Sequence, residues 1–305
     1  MKKYILLLLL IPALTFSQNL KSFISKDSTE IFYEDIGKGK TLVILSGGPG
    51  LNSDYLKEFY DTVSKKYRCV ILHQRGTGKS ILKKVNKETV NVDRYIEDLN
   101  GLYKALGNKK LTLVGHSWGG MLSFSYAANE SDKIEKIILL NTGGVTEKFY
   151  TWFGSNINMR LHDEDVELYE DQIKNKRSTL VAIWLGYFFN REMALKSRPK
   201  VDHVFRSQNG INPLASGDWR KRSNERVEKL KNFSGPIDLI AGRQDPVGES
   251  VVYEAKEILP QLNYTFIENC GHFPWLEKED RASLFFNLFS KLKVFYFKRQ
   301  YRNFL

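Results

Sequence analysis

The sequence Gly-His-Ser-Trp-Gly-Gly at 115–120 constrains the fold more than any other feature, because it directly follows the apolar run at 111–114. A serine between glycines at the end of a buried strand is typical of a strained turn that leads from a strand into a helix. Glycine permits the close backbone approach that such a turn needs. The pattern predicts a strand, a tight turn exposing Ser117, and a helix packed back on the strand.

A serine nucleophile needs a base and a carboxylate that orients the base. Asp245 follows the apolar run at 237–241, and His272 follows the run at 264–267. The order Ser, Asp, His is that of α/β hydrolases, and parallel sheets gather such loops at the carboxyl ends of their strands. We therefore predict a catalytic triad of Ser117, Asp245 and His272.

Attack on a carbonyl also requires two backbone donors for the oxyanion. One is predicted to be the amide of Trp118, the residue after the nucleophile. A second is expected in the loop after an early strand, where the run at 42–45 leads into Ser-Gly-Gly-Pro-Gly at 46–50. We assign that donor to the amide of Gly48, which lies in a tight turn whether or not it binds an oxyanion.

The chain resembles the proline iminopeptidase branch of the α/β-hydrolases in several phrases. These are Gly-Gly-Pro-Gly at 47–50, Gln-Arg-Gly-Thr-Gly-Lys-Ser at 74–80, the serine motif, and the loops of Asp245 and His272. Two positions differ: Ser46 replaces the usual histidine before the glycines, and His73 replaces the usual aspartate before Gln-Arg-Gly. Neither is nucleophile, base or acid, so the resemblance still implies a serine hydrolase with altered loop hydrogen bonding.

The resemblance is less specific for the substrate than for the serine hydrolase chemistry, and it implies an aminopeptidase only in part. Family members bind the substrate's amino group through cap glutamates, one of which commonly follows a tryptophan, but here Trp184 is followed by Leu185. Asp202, in a loosely matching acidic segment, is the candidate amine ligand, and Trp184 is the second predicted substrate-binding residue. A short peptide is the leading substrate. A carboxylic ester or lactone is the alternative, and a binding protein without turnover is the alternative of another class.

Strands and helices alternate along much of the chain, which predicts an α/β fold with a mostly parallel, doubly wound sheet. The 305 residues, 42% hydrophobic, suffice for one large core. Apolar residues at helical spacing over 92–106 predict a helix begun by Asn91 and ended by Gly107. Alternation stops over 145–231, a stretch rich in charge and aromatics, which indicates a helical cap inserted between core segments 18–144 and 232–305.

Both ends carry separate signals. Lys2 and Lys3 precede an apolar run at 4–16, too short to span a bilayer, so residues 1–17 are predicted to be a signal peptide cleaved before Gln18; an uncleaved anchor is the alternative. The mature protein would then be periplasmic or extracellular, with a net charge of +9 instead of +11. The basic, aromatic tail at 291–305 is expected to pack on the core, because aromatic residues usually bury; contact with a membrane surface or a partner is the alternative.

The sequence has no motif for binding phosphate, metal or nucleic acid. Gly-Lys-Ser at 78–80 resembles the end of a phosphate-binding loop, but His73 occupies the position of its first glycine. His162 and His203 have no partners at metal-ligand spacing, and nothing indicates nucleic-acid binding. We therefore predict no metal and no cofactor. Cys69 and Cys270 are expected to stay unbridged, and the sequence indicates no oligomeric state.

Overall fold

The computed structural model describes residues 19–175, 179–198, 208–278 and residue 285. Within these ranges eight strands form one sheet in the order β1-β2-β4-β3-β5-β6-β7-β8. The strands β1 and β2 pair antiparallel, as do β2 and β4, while every pair from β4 to β8 is parallel. Their bounds are β1 Asn19–Ile24, β2 Glu30–Ile36, β3 Thr41–Leu45, β4 Arg68–Leu72, β5 Leu111–His116, β6 Ile134–Leu140, β7 Ile237–Gly242 and β8 Asn263–Ile267.

Eleven α-helices are present in the described part of the chain. They are α1 Lys57–Val63, α2 Val92–Ala105, α3 Trp118–Asn129, α4 Tyr150–Asn158, α5 Asp163–Lys174, α6 Leu180–Ile183, α7 Arg191–Ser197, α8 Ile211–Lys221, α9 Ser223–Leu230, α10 Glu249–Ile258 and α11 Pro274–Glu277. The prediction for α2 is confirmed: the Asn91 side chain accepts a hydrogen bond from the Arg94 amide at 3.0 Å, and Gly107 follows the helix with φ +81°. None of these helices is long and apolar enough to cross a membrane.

Helices cover both faces of the sheet, which explains why its strands read as apolar runs. Because side chains alternate along a strand, Val43 and Leu45 belong to one hydrophobic cluster and Leu42 and Ile44 to the other. The first cluster includes residues of α2, α3, α8, α9 and α10; the second includes residues of α1, α7 and α11. The predicted doubly wound architecture is therefore confirmed.

The segment at 145–231 is mainly helical where it is described, and it carries α4 to α9. Its first part meets the loop after β7, since the Asn156 side chain donates to the Pro246 carbonyl at 2.9 Å. Its last part differs, because α8 and α9 bury Trp219 and Leu230 in the cluster shared by α2 and α3. The boundary of the cap at 231 stays a prediction. The predicted signal peptide at 1–17 and the tail at 291–305 lie outside the described residues.

Arg75, from the Gln-Arg-Gly phrase, is a fully buried cation that joins three segments. It donates to both Asp98 carboxylate oxygens at 2.6 and 2.7 Å, to Asp27 at 2.9 Å and to the Thr89 carbonyl at 2.7 Å. Removing one partner of a buried pair leaves a charge without compensation. This arrangement fastens the segment after β4 to α2.

Replacing Asp98 with asparagine is expected to lower the free energy of unfolding by about 3 kcal/mol, since the guanidinium then loses its main counter-charge. Asp93 offers a matched control on the same helix, because its pair with Arg222 is partly exposed. Asp93→Asn should cost less than about 1 kcal/mol. Urea unfolding monitored by circular dichroism measures both, and equal losses would contradict the role given to the buried pair.

Candidate active site

Ser117 lies at the turn between β5 and α3 in a conformation that is uncommon for a residue with a side chain. Its φ and ψ are 53° and −117°. The Ser117 amide donates to the Leu140 carbonyl at 3.0 Å, which holds the turn against the end of β6. The residue is half-buried although both of its neighbours are buried. Strain of this kind persists where the surroundings enforce it, and it is common at functional sites.

Two glycines of the serine motif allow the helix to approach the sheet. A Cβ at Gly119 would lie 2.2 Å from the carbonyl oxygen of Leu45 in β3, and a Cβ at Gly115 would lie 2.4 Å from the Gly119 oxygen. No side chain fits at either position without moving the backbone. The strand, turn and helix predicted around Ser117 are thus present, and the glycines have a steric cause.

The loops after β7 and β8 bring Asp245 and His272 together. His272 Nδ1 lies 3.0 and 2.9 Å from the two carboxylate oxygens of Asp245. The Val247 amide donates to Asp245 Oδ1 at 2.9 Å, which fixes the carboxylate. Both side chains are almost fully buried, at 2% and 6% exposure. Since Asp245 accepts from Nδ1, the Nε2 nitrogen is the one left to exchange a proton with a substrate or nucleophile.

The backbone of His272 is held as firmly as its ring. Its amide donates to the Tyr187 carbonyl at 2.8 Å, and its carbonyl lies 3.1 Å from His116 Nε2. In the described part of the chain, no hydrogen bond joins the Ser117 hydroxyl to His272. Such bonds are often long without substrate and tighten in the substrate complex.

The two predicted oxyanion donors belong to the loop after β3 and to the start of α3. Gly48 is an exposed residue of the loop after β3, with φ +116°, and Trp118 is the first residue of α3. Within the described ranges, neither amide donates to another protein group. The amide of Gly47 is already used, because it donates to the Tyr55 hydroxyl at 2.6 Å. The pair assigned from the sequence is therefore available to a ligand.

Ser46 and His73, the two residues that depart from the family pattern, each form hydrogen bonds with neighbouring loop residues. Ser46 donates through its hydroxyl to the Leu51 carbonyl at 2.9 Å and accepts from Gln74 through its backbone oxygen at 2.8 Å. His73 Nδ1 accepts from the Lys79 amide at 3.0 Å, so its Nε2 faces Glu34 at 3.2 Å. Gln74 also accepts from the Trp118 indole at 3.0 Å. These bonds connect the loop after β4 with the turn that carries Ser117.

Trp184 packs beside the base loop. It is 3% exposed, stacks on the Phe273 ring with centroids 4.5 Å apart, and donates through its indole nitrogen to Ser197 Oγ at 3.3 Å. Its contact with the site runs through Phe273, the residue after His272. Asp202, the other predicted substrate-binding residue, lies outside the described residues.

A cavity of about 270 Å³ opens next to Gln244, the neighbour of Asp245. Two arginines line it, Arg160 and Arg191, and a cationic wall does not suit an ammonium group. Neither Ser117 nor His272 lines it. The residues around it are Arg160, His162, Leu185, Phe188, Phe189, Arg191 and Gln244. In the ranges that the structure describes, no group of three or more His, Cys, Asp or Glu side chains could hold a metal ion.

Sequence reasoning missed two residues of the site. They are His116 and Tyr55, to which the sequence motifs assign no role. The Tyr55 hydroxyl lies 2.7 Å from His116 Nδ1, and the rings of His116 and His272 are 4.6 Å apart. His116 had a signal, since it adjoins the nucleophile, whereas Tyr55 had none because its partners are distant in the chain.

The model of the alpha/beta hydrolase fold family matches residues 40–279. The chain therefore belongs to the α/β-hydrolase fold family, and its fold and relatives support hydrolase activity. It is similar to the proline iminopeptidase of Lactobacillus helveticus (strain DPC 4571), with 22% identity over 266 residues, 82% of this chain and 90% of the relative. This agrees with the branch that the sequence motifs indicated.

Solved structures show the same fold. A serine hydrolase from Cycloclasticus zankles superposes with a TM-score of 0.65 at 18% identity, over 93% of this chain and all of that one. An esterase from Thermogutta terrifontis gives 0.62 at 19% identity, over 89% and 98%. At such identities the likeness establishes the fold and leaves the substrate open.

Proposed function

We propose that the protein is a serine hydrolase in which Ser117 is the nucleophile, His272 the general base and Asp245 the residue that orients the base. The observation that carries the proposal is the contact of His272 Nδ1 with both oxygens of a buried Asp245, while the His272 ring lies 4.6 Å from that of His116, the residue before the strained Ser117. A hydrogen bond from Nδ1 to a carboxylate keeps the neutral imidazole in the tautomer that accepts a proton at Nε2.

In the proposed reaction the Ser117 oxygen bonds to the substrate's carbonyl carbon while its proton passes to His272 Nε2. Asp245 stabilises the resulting imidazolium. The amides of Gly48 and Trp118 stabilise the oxyanion. The imidazolium then protonates the leaving group, which departs with the electron pair of the broken bond. Water, deprotonated by His272, attacks the acyl-serine in the same way and releases the acid and the free Ser117 hydroxyl.

For the substrate, we propose a short peptide from which the N-terminal residue is released, as the name of the similar Lactobacillus protein suggests. Asp202 is the proposed ligand of the substrate's amino group.

One observation favours a carboxylic ester instead: Leu185 follows Trp184 where the family carries a glutamate, and it is 2% exposed in the apolar cluster. That position therefore offers no carboxylate to an ammonium group.

The test uses three chromogenic substrates in parallel: proline p-nitroanilide, its N-acetylated form and p-nitrophenyl butyrate. We expect cleavage of the free-amine anilide and loss of cleavage when the amine is acetylated. Asp202→Ala should impair the anilide and spare the ester. Cleavage of the ester alone would establish an esterase and overturn the peptidase proposal. Silence on all three, with a correctly folded protein, would favour a hydrolase-like binding protein.

We also propose that the enzyme acts outside the cytoplasm, on the basis of the leader-like start at 1–17. Expression of the full chain followed by N-terminal sequencing of the exported protein tests this. A new N-terminus at Gln18 would support the proposal. Intact protein retained in the cytoplasm would contradict it.

A further inference from the structure

Four groups form a continuous line of hydrogen bonds beneath the candidate active site. The Gly47 amide lies 2.6 Å from the Tyr55 hydroxyl oxygen, that oxygen lies 2.7 Å from His116 Nδ1, and His116 Nε2 lies 3.1 Å from the carbonyl oxygen of His272. Tyr55, His116 and His272 are exposed by 8%, 2% and 2%. The line starts in the loop after β3, which carries the predicted oxyanion donor Gly48, and ends at the backbone carbonyl of His272, the proposed base.

The two ends of the line determine the direction of every proton in it. An amide can only donate, so the Tyr55 oxygen accepts from Gly47. A neutral His116 with its proton on Nε2 has a lone pair on Nδ1, so the Tyr55 hydroxyl donates to that nitrogen. A carbonyl can only accept, so His116 Nε2 carries a proton and donates a hydrogen bond to the backbone carbonyl of His272. Every donor in the line then has one acceptor. This pairing requires a neutral His116 with its proton on Nε2.

Burial supports both required protonation states. The pKa of His116 lies well below its ordinary value of 6.5, mainly because the ring is buried and to a smaller extent because His272 is close, so the imidazole stays neutral. Burial likewise raises the pKa of Tyr55, so its hydroxyl keeps the proton that it donates. The aromatic rings of Phe273 and Trp275 pack on His116 with centroids 5.6 and 4.8 Å away, which excludes competing water.

We propose that Tyr55 and His116 are positioning residues that set the oxyanion loop against the base loop. The proposal rests on the proposed serine hydrolase. In the sheet, β3 and β8 are separated by β5, β6 and β7, so no ladder of backbone hydrogen bonds joins their loops directly. His116, the last residue of β5, spans that gap one residue before Ser117. Transition-state stabilisation depends on this spacing, whereas substrate binding does not.

The test replaces Tyr55 with phenylalanine, which keeps the ring and removes the hydroxyl. Gly47 and His116 Nδ1 then lose their partner, and kcat is expected to fall about 10²-fold with little change in KM, since small misplacements of catalytic groups cost this much. The inhibition constant of phenylboronic acid, which forms a tetrahedral adduct with an active serine, should rise by the same factor. A variant that was merely less stable would not change this constant in its folded fraction.

Tyr95→Phe is the matched control. Tyr95 is 2% exposed, and its hydroxyl has no hydrogen-bond partner among the described residues. Removing that hydroxyl should leave kcat and the inhibition constant within about twofold of the wild type, because no bond is lost. If Tyr55→Phe behaved like Tyr95→Phe, the positioning role would be overturned.

His116 provides a second pair of variants in case Tyr55→Phe fails to fold. In His116→Gln the amide supplies one acceptor and one donor, so most of kcat should be retained. His116→Met has neither and should lose as much as Tyr55→Phe. The double variant of Tyr55→Phe and His116→Met should lose no more than either alone, because both interrupt the same line. Equal activity of the glutamine and methionine variants, or additive losses, would contradict the proposal.

A readout without turnover separates this proposal from the proposed function. Nitrogen-15 spectra of histidine-labelled full-length protein should show neutral His116 protonated on Nε2, in the wild type and in Ser117→Ala. Protonation on Nδ1 would overturn the line of hydrogen bonds whatever the enzyme's activity. If the spectra agree but wild-type turnover does not depend on Ser117, the proposed function fails while the proton arrangement stands.

Discussion

Replacing Ser117 with alanine is expected to lower kcat by roughly 10⁴- to 10⁶-fold on whichever substrate the wild type turns over. Removal of the hydroxyl takes away the atom that bonds to the substrate's carbonyl carbon, while the turn, His272 and the oxyanion donors stay in place. KM should change little, since the hydroxyl contributes mainly to the transition state. Steady-state kinetics with the substrates named above measure both constants, and wild-type kcat in Ser117→Ala would contradict the assignment of the nucleophile.

Ser117→Gly serves as the control for folding. Glycine adopts a φ of 53° at little cost, whereas alanine keeps the strain of a side chain there. Ser117→Gly should therefore be more stable than Ser117→Ala by about 1 kcal/mol, with both equally inactive. At Ser123, inside α3, the order should reverse because glycine weakens a helix. Urea unfolding of the four variants checks this, and a less stable Ser117→Gly would argue against strain at the turn.

Replacing Asp245 with asparagine is expected to lower kcat by about 10⁴-fold with little change in KM. The amide of asparagine can donate to His272 Nδ1, which would move the imidazole proton to Nε2 and leave no base facing Ser117. It would also remove the negative charge that stabilises the imidazolium. The fall in kcat should be smaller than for Ser117→Ala if His272 still accepts some protons without the carboxylate.

Asp238 provides the matched control for Asp245. It lies near the start of β7, at the other end of the strand from the site, and forms an ion pair with Lys136. Asp238→Asn removes a carboxylate from the strand that leads to Asp245 and should leave kcat unchanged. Full activity of Asp245→Asn, or an equal loss in Asp238→Asn, would show that Asp245 does not orient the base.

Local sequence patterns were enough to predict the strands and the helix that position the candidate site. The apolar runs before Ser117 and Asp245 are strands β5 and β7, because side chains buried on both faces of a sheet must be apolar at successive positions. Asn91 and Gly107 delimit α2 because a helix needs a side-chain acceptor at its start and a left-handed residue after its end. The roles of Ser117, Asp245 and His272 remain predictions for the experiments above.

Contacts that join distant segments were beyond such patterns. Tyr55 is 61 residues from His116, and His116 is 156 residues from its partner His272. No periodicity or spacing relates these positions. Trp184 shows the same difficulty: its ring packs on Phe273, and its role in substrate binding stays a prediction. A buried aromatic has the same sequence signature in either role.

The sequence by itself indicated the turn at Ser117, the apolar strands around it and the order of the proposed triad, because glycine spacing and runs of apolar residues are local patterns. Only the tertiary structure decided that Asp245 holds His272 through both oxygens and that Tyr55 and His116 connect the oxyanion loop to the base. Hydrogen bonds between loops form where the crossing order of the strands brings donors and acceptors within about 3 Å. That order arises when the whole core packs.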